Sequence, residues 1–169
     1  AYDLELAIEH YRQALKVYTE KDFPADWAMT ENNLAATYKN RVRGDRAENI
    51  ELAIEHYRQA LKVYTETDFL ADWAATQNNL ANAYGSRIRG ERAENIEQAI
   101  EHYRQALKVF TPDGFPNYCR GTAYRLGNLY LKVRRFSEAA GAYSRGMEAA
   151  ETLYRASIFL GRKEAELTE

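Results

Sequence analysis

Four sets of residues in this chain have types and spacings that chemistry can use. The histidines His10, His56 and His102 recur 46 residues apart, Cys119 stands alone, asparagines form the doublets Asn32-Asn33 and Asn78-Asn79, and arginines crowd RVRGDRAENI (41–50) and RIRGERAENI (87–96). A shared zinc needs its ligands at about 2 Å, whereas equivalent residues on successive packed helices stand about 10 Å apart. The histidines are therefore expected to pack beside the apolar stripe, near Leu52 and Val63 in the middle copy, and no metal site is expected. Cys119 occupies the place held by Trp27 and Trp73, which predicts a part-buried apolar site. With His102 on a different helix, no Cys-His nucleophile is expected. There is no Gly-rich phosphate loop, metal cluster or acid-base pair, so the reading is of a chain that is not an enzyme and has no catalytic residues and no cofactors. The connector arginines alternate with Asp45, Glu48, Glu91 and Glu94, which predicts a solvated, salt-linked loop.

The elements that must position these groups are repeats. ELAIEHYRQALKVYTE runs from Glu5 to Glu20, returns unchanged from Glu51 to Glu66, and reappears as EQAIEHYRQALKVF from Glu97 to Phe110. Between them lie FPADWAMTENNLAATY (23–38), FLADWAATQNNLANAY (69–84) and FPNYCRGTAYRLGNLY (115–130), all in register. A further copy of the first string starts at Ser137, six residues early, so its connector is shorter. In the second-type helix, Ile50, Ala53, Ile54, Tyr57, Ala60 and Leu61 fall on one stripe at three- and four-residue steps. The first-type helix has two faces, with Trp27, Leu34, Ala35, Tyr38 and Val42 on one and Met29, Asn32, Asn33, Ala36 and Asn40 on the other. Gly44 and Gly90 suit a left-handed position after a helix. The expected organisation is all-α, about seven helices in one domain over 1–169. It comprises a lone second-type helix near 3–21, units near 23–67, 69–111 and 115–152, and a helical tail near 153–169.

Composition agrees with a thin, surface-rich body. Charged residues make up 28% of the chain, there are only three prolines, and the mean hydropathy is −0.63. Helix is favoured by the abundance of Ala, Glu, Leu and Arg. A net charge of −2 gives no general attraction to nucleic acid or anionic membrane. A lone cysteine cannot close an intrachain disulfide, so a cytoplasmic location is expected. No apolar run is long enough for a membrane span. Because each repeat buries its apolar face against a neighbour, self-association through open ends is a further expectation.

These residues resemble the tetratricopeptide repeat (TPR) family. Its small-residue and aromatic pattern falls on Leu126, Gly127, Tyr130, Ala139, Tyr143 and Gly146, and on Leu80, Ala81, Tyr84, Ala99, Tyr103 and Ala106. The six-residue insertion in the first two connectors is similar to bacterial, especially cyanobacterial, arrays that precede caspase-like CHAT protease domains. The resemblance implies an α-α superhelix of antiparallel helix pairs, with a concave groove lined by the first helix of each unit and occupied by an extended peptide. Carried over by position, that groove takes Met29, Asn32, Asn33, Ala36 and Asn40, then Ala75, Asn78, Asn79, Asn82 and Ser86, then Tyr124, Arg125, Asn128 and Lys132 with Gly121. Asparagine amides both donate and accept, so they suit a peptide backbone of any sequence, while Lys39, Arg125 and Lys132 favour an acidic segment. Asn33 and Asn79 are expected to hold repeat to repeat, and Asn32, Asn78, Asn82 and Asn128 to meet the ligand. The resulting reading is a protein-interaction scaffold whose protein or peptide ligand is unknown. Its alternatives are a regulatory arm of a CHAT protease with the catalytic domain in cis, and a self-assembling spacer.

Overall fold

A computed structural model describes residues 2–166, with side chains described over 3–159. Among them are seven helices and no strand: α1 (Tyr2–Ala14), α2 (Pro24–Asn40), α3 (Arg46–Ala60), α4 (Leu70–Gly85), α5 (Arg92–Val109), α6 (Pro116–Lys132) and α7 (Phe136–Glu166). The chain divides into two compact units, Ala1–Gln105 and Ala106–Glu169, with the division inside α5.

In the first unit α3 packs extensively on α2 and more lightly on α4, and α1 packs on α2. The reason lies in the stripes. Ile50, Ala53, Tyr57 and Ala60 of α3 are buried, as are Leu34, Ala35 and Tyr38 of α2 and Leu80, Ala81 and Tyr84 of α4. Each first-type helix opens beside a phenylalanine, Phe23 or Phe69, that lies against the tyrosine ending the previous string, with ring centroids 5.8 Å (Tyr18) and 5.5 Å (Tyr64) apart. That contact fixes the entry angle, as a hydrophobic staple does. α1 stops at Ala14 although the repeated string continues. The next residues close tighter bonds, Lys16 N–H to Gln13 O and Val17 N–H to Ala14 O, the 3₁₀-like turn with which many helices end.

In the second unit α6 and α7 form an antiparallel pair. Tyr143 of α7 lies so close to α6 that a Cβ on Gly127 would stand 2.7 Å from its ring. Glycine is needed there for space and not for backbone angle. The helix that begins at Phe136 runs unbroken through the expected tail to Glu166, and residues 167–169 lie outside the described residues.

The connectors are built as ion-paired loops. Gly44 and Gly90 take φ of +78° and +76°, the left-handed conformation that costs glycine nothing. Both sit four to five residues beyond the helix end; after α2 the chain turns extended at Arg41 (φ −61°, ψ 131°). Arg41 leaves the helix to grip Glu5 with Nε and Nη2 at 2.8 and 2.7 Å, and Arg87 grips Glu51 with both bonds at 2.8 Å. These bonds hold Glu5 and Glu51 below the usual carboxylate range. The partners of Arg41 and Arg87 are thus on α1 and α3, not in the connector as expected. Val42, expected on the apolar side of the helix, is consequently thrown into solvent at 81% exposure. Asp45 caps α3 by accepting the Glu48 N–H at 2.7 Å.

Candidate functional site

The asparagine strip and the cleft of the α6–α7 pair are the two regions where first-type helices present groups outward, one in each unit.

In the first unit the strip is partly spent on the fold. Asn32 Oδ1 accepts from the Thr76 hydroxyl at 3.2 Å, which ties α2 to α4. Asn82 donates to Asn78 O at 2.8 Å, and its Oδ1 accepts from the Tyr103 hydroxyl at 2.8 Å, so both ends of that amide are engaged. Ser86 donates to Asn82 O at 3.0 Å. Asn78 also has a partner. Asn33 and Asn79 are half-buried and carry no such side-chain bond among the described residues. Asn32 and Asn82 thus join elements, whereas Asn33 and Asn79, expected to hold repeat to repeat, make no such bond. The cause is the register of the second-type helix, whose core tyrosine reaches the 82 position and not the 79 position. Along the same strip Met29 and Asn40 are exposed, while Ala36 and Ala75 are half-buried. Lys39 has a partner.

The histidines are not passive apolar packing. His56 Nδ1 lies 2.5 Å from Glu31 Oε2, with its ring stacked on Tyr38 at 5.5 Å. His102 Nδ1 lies 2.6 Å from Gln77 Oε1, with its ring stacked on Tyr84 at 5.4 Å. Burial pushes the His102 imidazole down to about 4, with Arg58 acting in the same direction and Glu101 against it. Asn49 and Asn95 were also missed by the sequence reading. Both are buried, and their amides donate to Arg43 O and Arg89 O at 2.8 Å while accepting from Arg41 and Arg87 at 3.3 Å. Their recurrence at one place in two near-identical connectors was the available signal.

In the second unit, Asn128 Oδ1 accepts from the Tyr143 hydroxyl at 2.7 Å, the counterpart of the Asn82 bond. That carbonyl is therefore occupied within the α6–α7 pair. Beside it opens a cleft of about 380 Å³ lined by Arg120, Tyr124, Tyr143, Gly146, Met147 and Ala150. Tyr124 is 60% and Met147 72% exposed, so a large apolar surface faces water. α6 contributes Arg120, Arg125 and Lys132 and carries no acidic residue. Arg125 and Lys132 are exposed and Gly121 half-buried. The cleft can take an apolar side chain, and the α6 cations can take a neighbouring carboxylate.

Cys119 is fully buried, not part-buried, and burial pushes its thiol up despite the Arg145 guanidinium beside it. That is the reverse of what a nucleophile needs. Among the described residues no group of three or more His, Cys, Asp or Glu is placed to hold a metal ion, and no helix is long and apolar enough to cross a membrane.

Paired helices joined through small residues and tyrosines define an all-α, TPR-like repeat protein. More specifically, the family model for soluble NSF attachment protein, SNAP, matches residues 28–158, most of the chain, and the protein belongs to that family. No curated protein matches it significantly.

Proposed function

We propose that this chain is a protein-interaction scaffold that holds a partner polypeptide against the outward faces of its first-type helices. In this reading the partner's apolar anchor sits in the α6–α7 cleft. The observation that carries it is the cleft itself, where exposed Tyr124 and Met147 stand beside a helix whose only charges are Arg120, Arg125 and Lys132. Exposed aromatic and Met surface next to arginine is the composition of binding hot spots and not of ordinary solvated surface. The chemistry selects a segment with a Leu, Ile or Phe anchor flanked by Asp or Glu. In the first unit, Asn33 and Asn79 offer amides to a backbone of any sequence.

The family name describes attachment proteins, which suits a molecule that works by holding another. This reading takes the chain as a cytoplasmic protein acting without a cofactor. An arm of a CHAT protease and a self-assembling spacer are the competing roles, and no contact within either unit favours them over the scaffold.

The test is selection of a phage-displayed library of random peptides on the protein and on its Tyr124→Ala, Met147→Ala variant. Both positions are exposed, so the variant is expected to keep its fold and helicity. Recovery of acidic-aliphatic sequences by the protein and not by the variant is the expected result. Equal recovery on both, or no enrichment on either, defeats the reading.

A further inference from the structure

In the first unit the loops that lead into and out of the first-type helices have opposite character, and both kinds recur in both repeats. α2 and α4 are entered through EKDFPAD (20–26) and ETDFLAD (66–72), in which Lys21 is the single cation. They are followed by RVRGDRAE (41–48) and RIRGERAE (87–94), with three arginines against two acids apiece.

The structure sets like beside like. Glu51, just after the first arginine loop, is gripped by Arg87 of the second, and Glu48, Glu51, Arg87 and Arg89 line one hollow. The arginine loops therefore share an edge. At the other ends of α2 and α4, Lys62 reaches Glu20 at 3.8 Å and Tyr64 rests on Phe69. Burial pushes the Tyr64 phenol up to about 12, and Asp72 and Asp26 both add to the effect. The acidic loops therefore share the opposite edge.

Both kinds of loop are held stiff. Asn49 and Asn95 bond the carbonyls of Arg43 and Arg89 at 2.8 Å, and the N–H groups of Asp22 and Asp68 donate to the Thr19 and Thr65 hydroxyls at 3.0 and 2.9 Å. What the stiff loops hold outward is apolar. Ile88 is 61% exposed beside the still more exposed Val42 of the arginine edge, and Phe23 and Phe69 of the acidic edge are 47% and 46% exposed. Side chains ordered in advance lose little freedom when they are covered.

We infer that the arginine edge of one molecule docks on the acidic edge of a second copy, with Val42 and Ile88 meeting Phe23 and Phe69. Arg43 and Arg89 then face Asp22, Asp26, Asp68 and Asp72. The chain supplies both halves of this contact, opposite in charge and matched in spacing, since Val42 to Ile88 and Phe23 to Phe69 are each one repeat apart. Two equivalent contacts therefore form together. Within one molecule the edges are kept apart by α2, whose 17 residues span about 25 Å. The interface joins two different patches, so each added copy leaves an edge open and growth does not close on itself. Charge fixes the orientation, because a copy turned round would set arginine against arginine. Both edges are built from loops between consecutive helices, and the inference does not rest on the cleft of α6 and α7.

The test is sedimentation velocity of the protein against concentration, at about 0.05 M and about 0.5 M salt. The expected result is a mass that rises past the dimer, with association weakened about tenfold or more at the higher salt by screening. That comparison uses the unaltered protein and stands whether or not a variant folds. Val42→Glu, Ile88→Glu breaks one edge and Leu70→Lys, Asp72→Lys the other, all at exposed positions. Each variant is expected to be monomeric at unchanged helicity. An equimolar mixture of the two is expected to form a 1:1 dimer that grows no further, since each brings one intact edge. A protein that stays monomeric overturns the inference. So does association indifferent to salt, association that either variant retains, or a mixture that remains monomeric. Association abolished by Tyr124→Ala also overturns it, since the interface would then be the cleft.

Discussion

The first repeat, α2 with α3, and the second, α4 with α5 up to Gln105, are near-copies in sequence that differ at the polar contacts between their helices. At one position Glu31 faces His56 and Gln77 faces His102. At another, Ala36 stands where Asn82 accepts the Tyr103 hydroxyl, so Tyr57 meets no such amide. In the connectors they are matched, in the Arg41-Glu5 and Arg87-Glu51 pairs and in Asn49 and Asn95. The apolar stripe sets the packing and is shared. The polar positions between the helices set the response to protons, and those have diverged.

The largest expected consequence is an acid sensitivity carried by His102 of the second repeat. His102 titrates near 4 in the fold, below its ordinary 6.5, because burial disfavours its cation. The unfolded chain therefore takes up that proton first as pH falls. Stability that is whole above pH 6.5 is lost between 6.5 and 4, by up to about 3 kcal/mol. Urea unfolding at pH 7 and pH 4.5 checks this, with His102→Gln expected to lose less than the parent over the same interval. Gln77→Glu sharpens the comparison, since a carboxylate at Nδ1 makes the second repeat like the first and is expected to raise the His102 pKa and reduce the acid loss.

A smaller effect tests the matched part. Asn49→Ala and Asn95→Ala each leave a connector carbonyl without its amide donor, at an expected cost of about 1–3 kcal/mol apiece, and equal within error. A clear inequality in their denaturation midpoints breaks the claim that the two connectors are the same device. The smallest effect is a gain. Ala36→Asn places an amide opposite Tyr57 as Asn82 stands opposite Tyr103, and is expected to stabilise the fold by about 0.5–1.5 kcal/mol, read as a rise in the urea midpoint.

Most of the fold was legible because the repeat is. Gly44 and Gly90 announced positive φ, and Leu126, Gly127, Tyr130, Ala139 and Tyr143 announced the α6–α7 packing before any coordinate was known. Val42 was misplaced because helical periodicity alone does not show that Arg41 leaves the helix for Glu5, a partner 36 residues earlier. The His56-Glu31 and His102-Gln77 pairs span 25 residues between helices, a distance across which a one-dimensional pattern carries no bond. The asparagines stand out as a set, but the sequence does not show that Asn32 and Asn82 are the ones bonded between helices. Whether an amide points to solvent or to a tyrosine of the next helix depends on a shift of one position, finer than periodicity resolves.

The central claim is that the α6–α7 cleft holds a partner's apolar anchor beside a carboxylate. Its most direct test is calorimetric titration of an acidic-aliphatic peptide, taken from the selection, into the protein and into Tyr124→Ala of equal helicity. Because Tyr124 is an exposed aromatic at the mouth of the cleft, the account predicts a Kd about thirtyfold weaker in the variant. An unchanged Kd would contradict it.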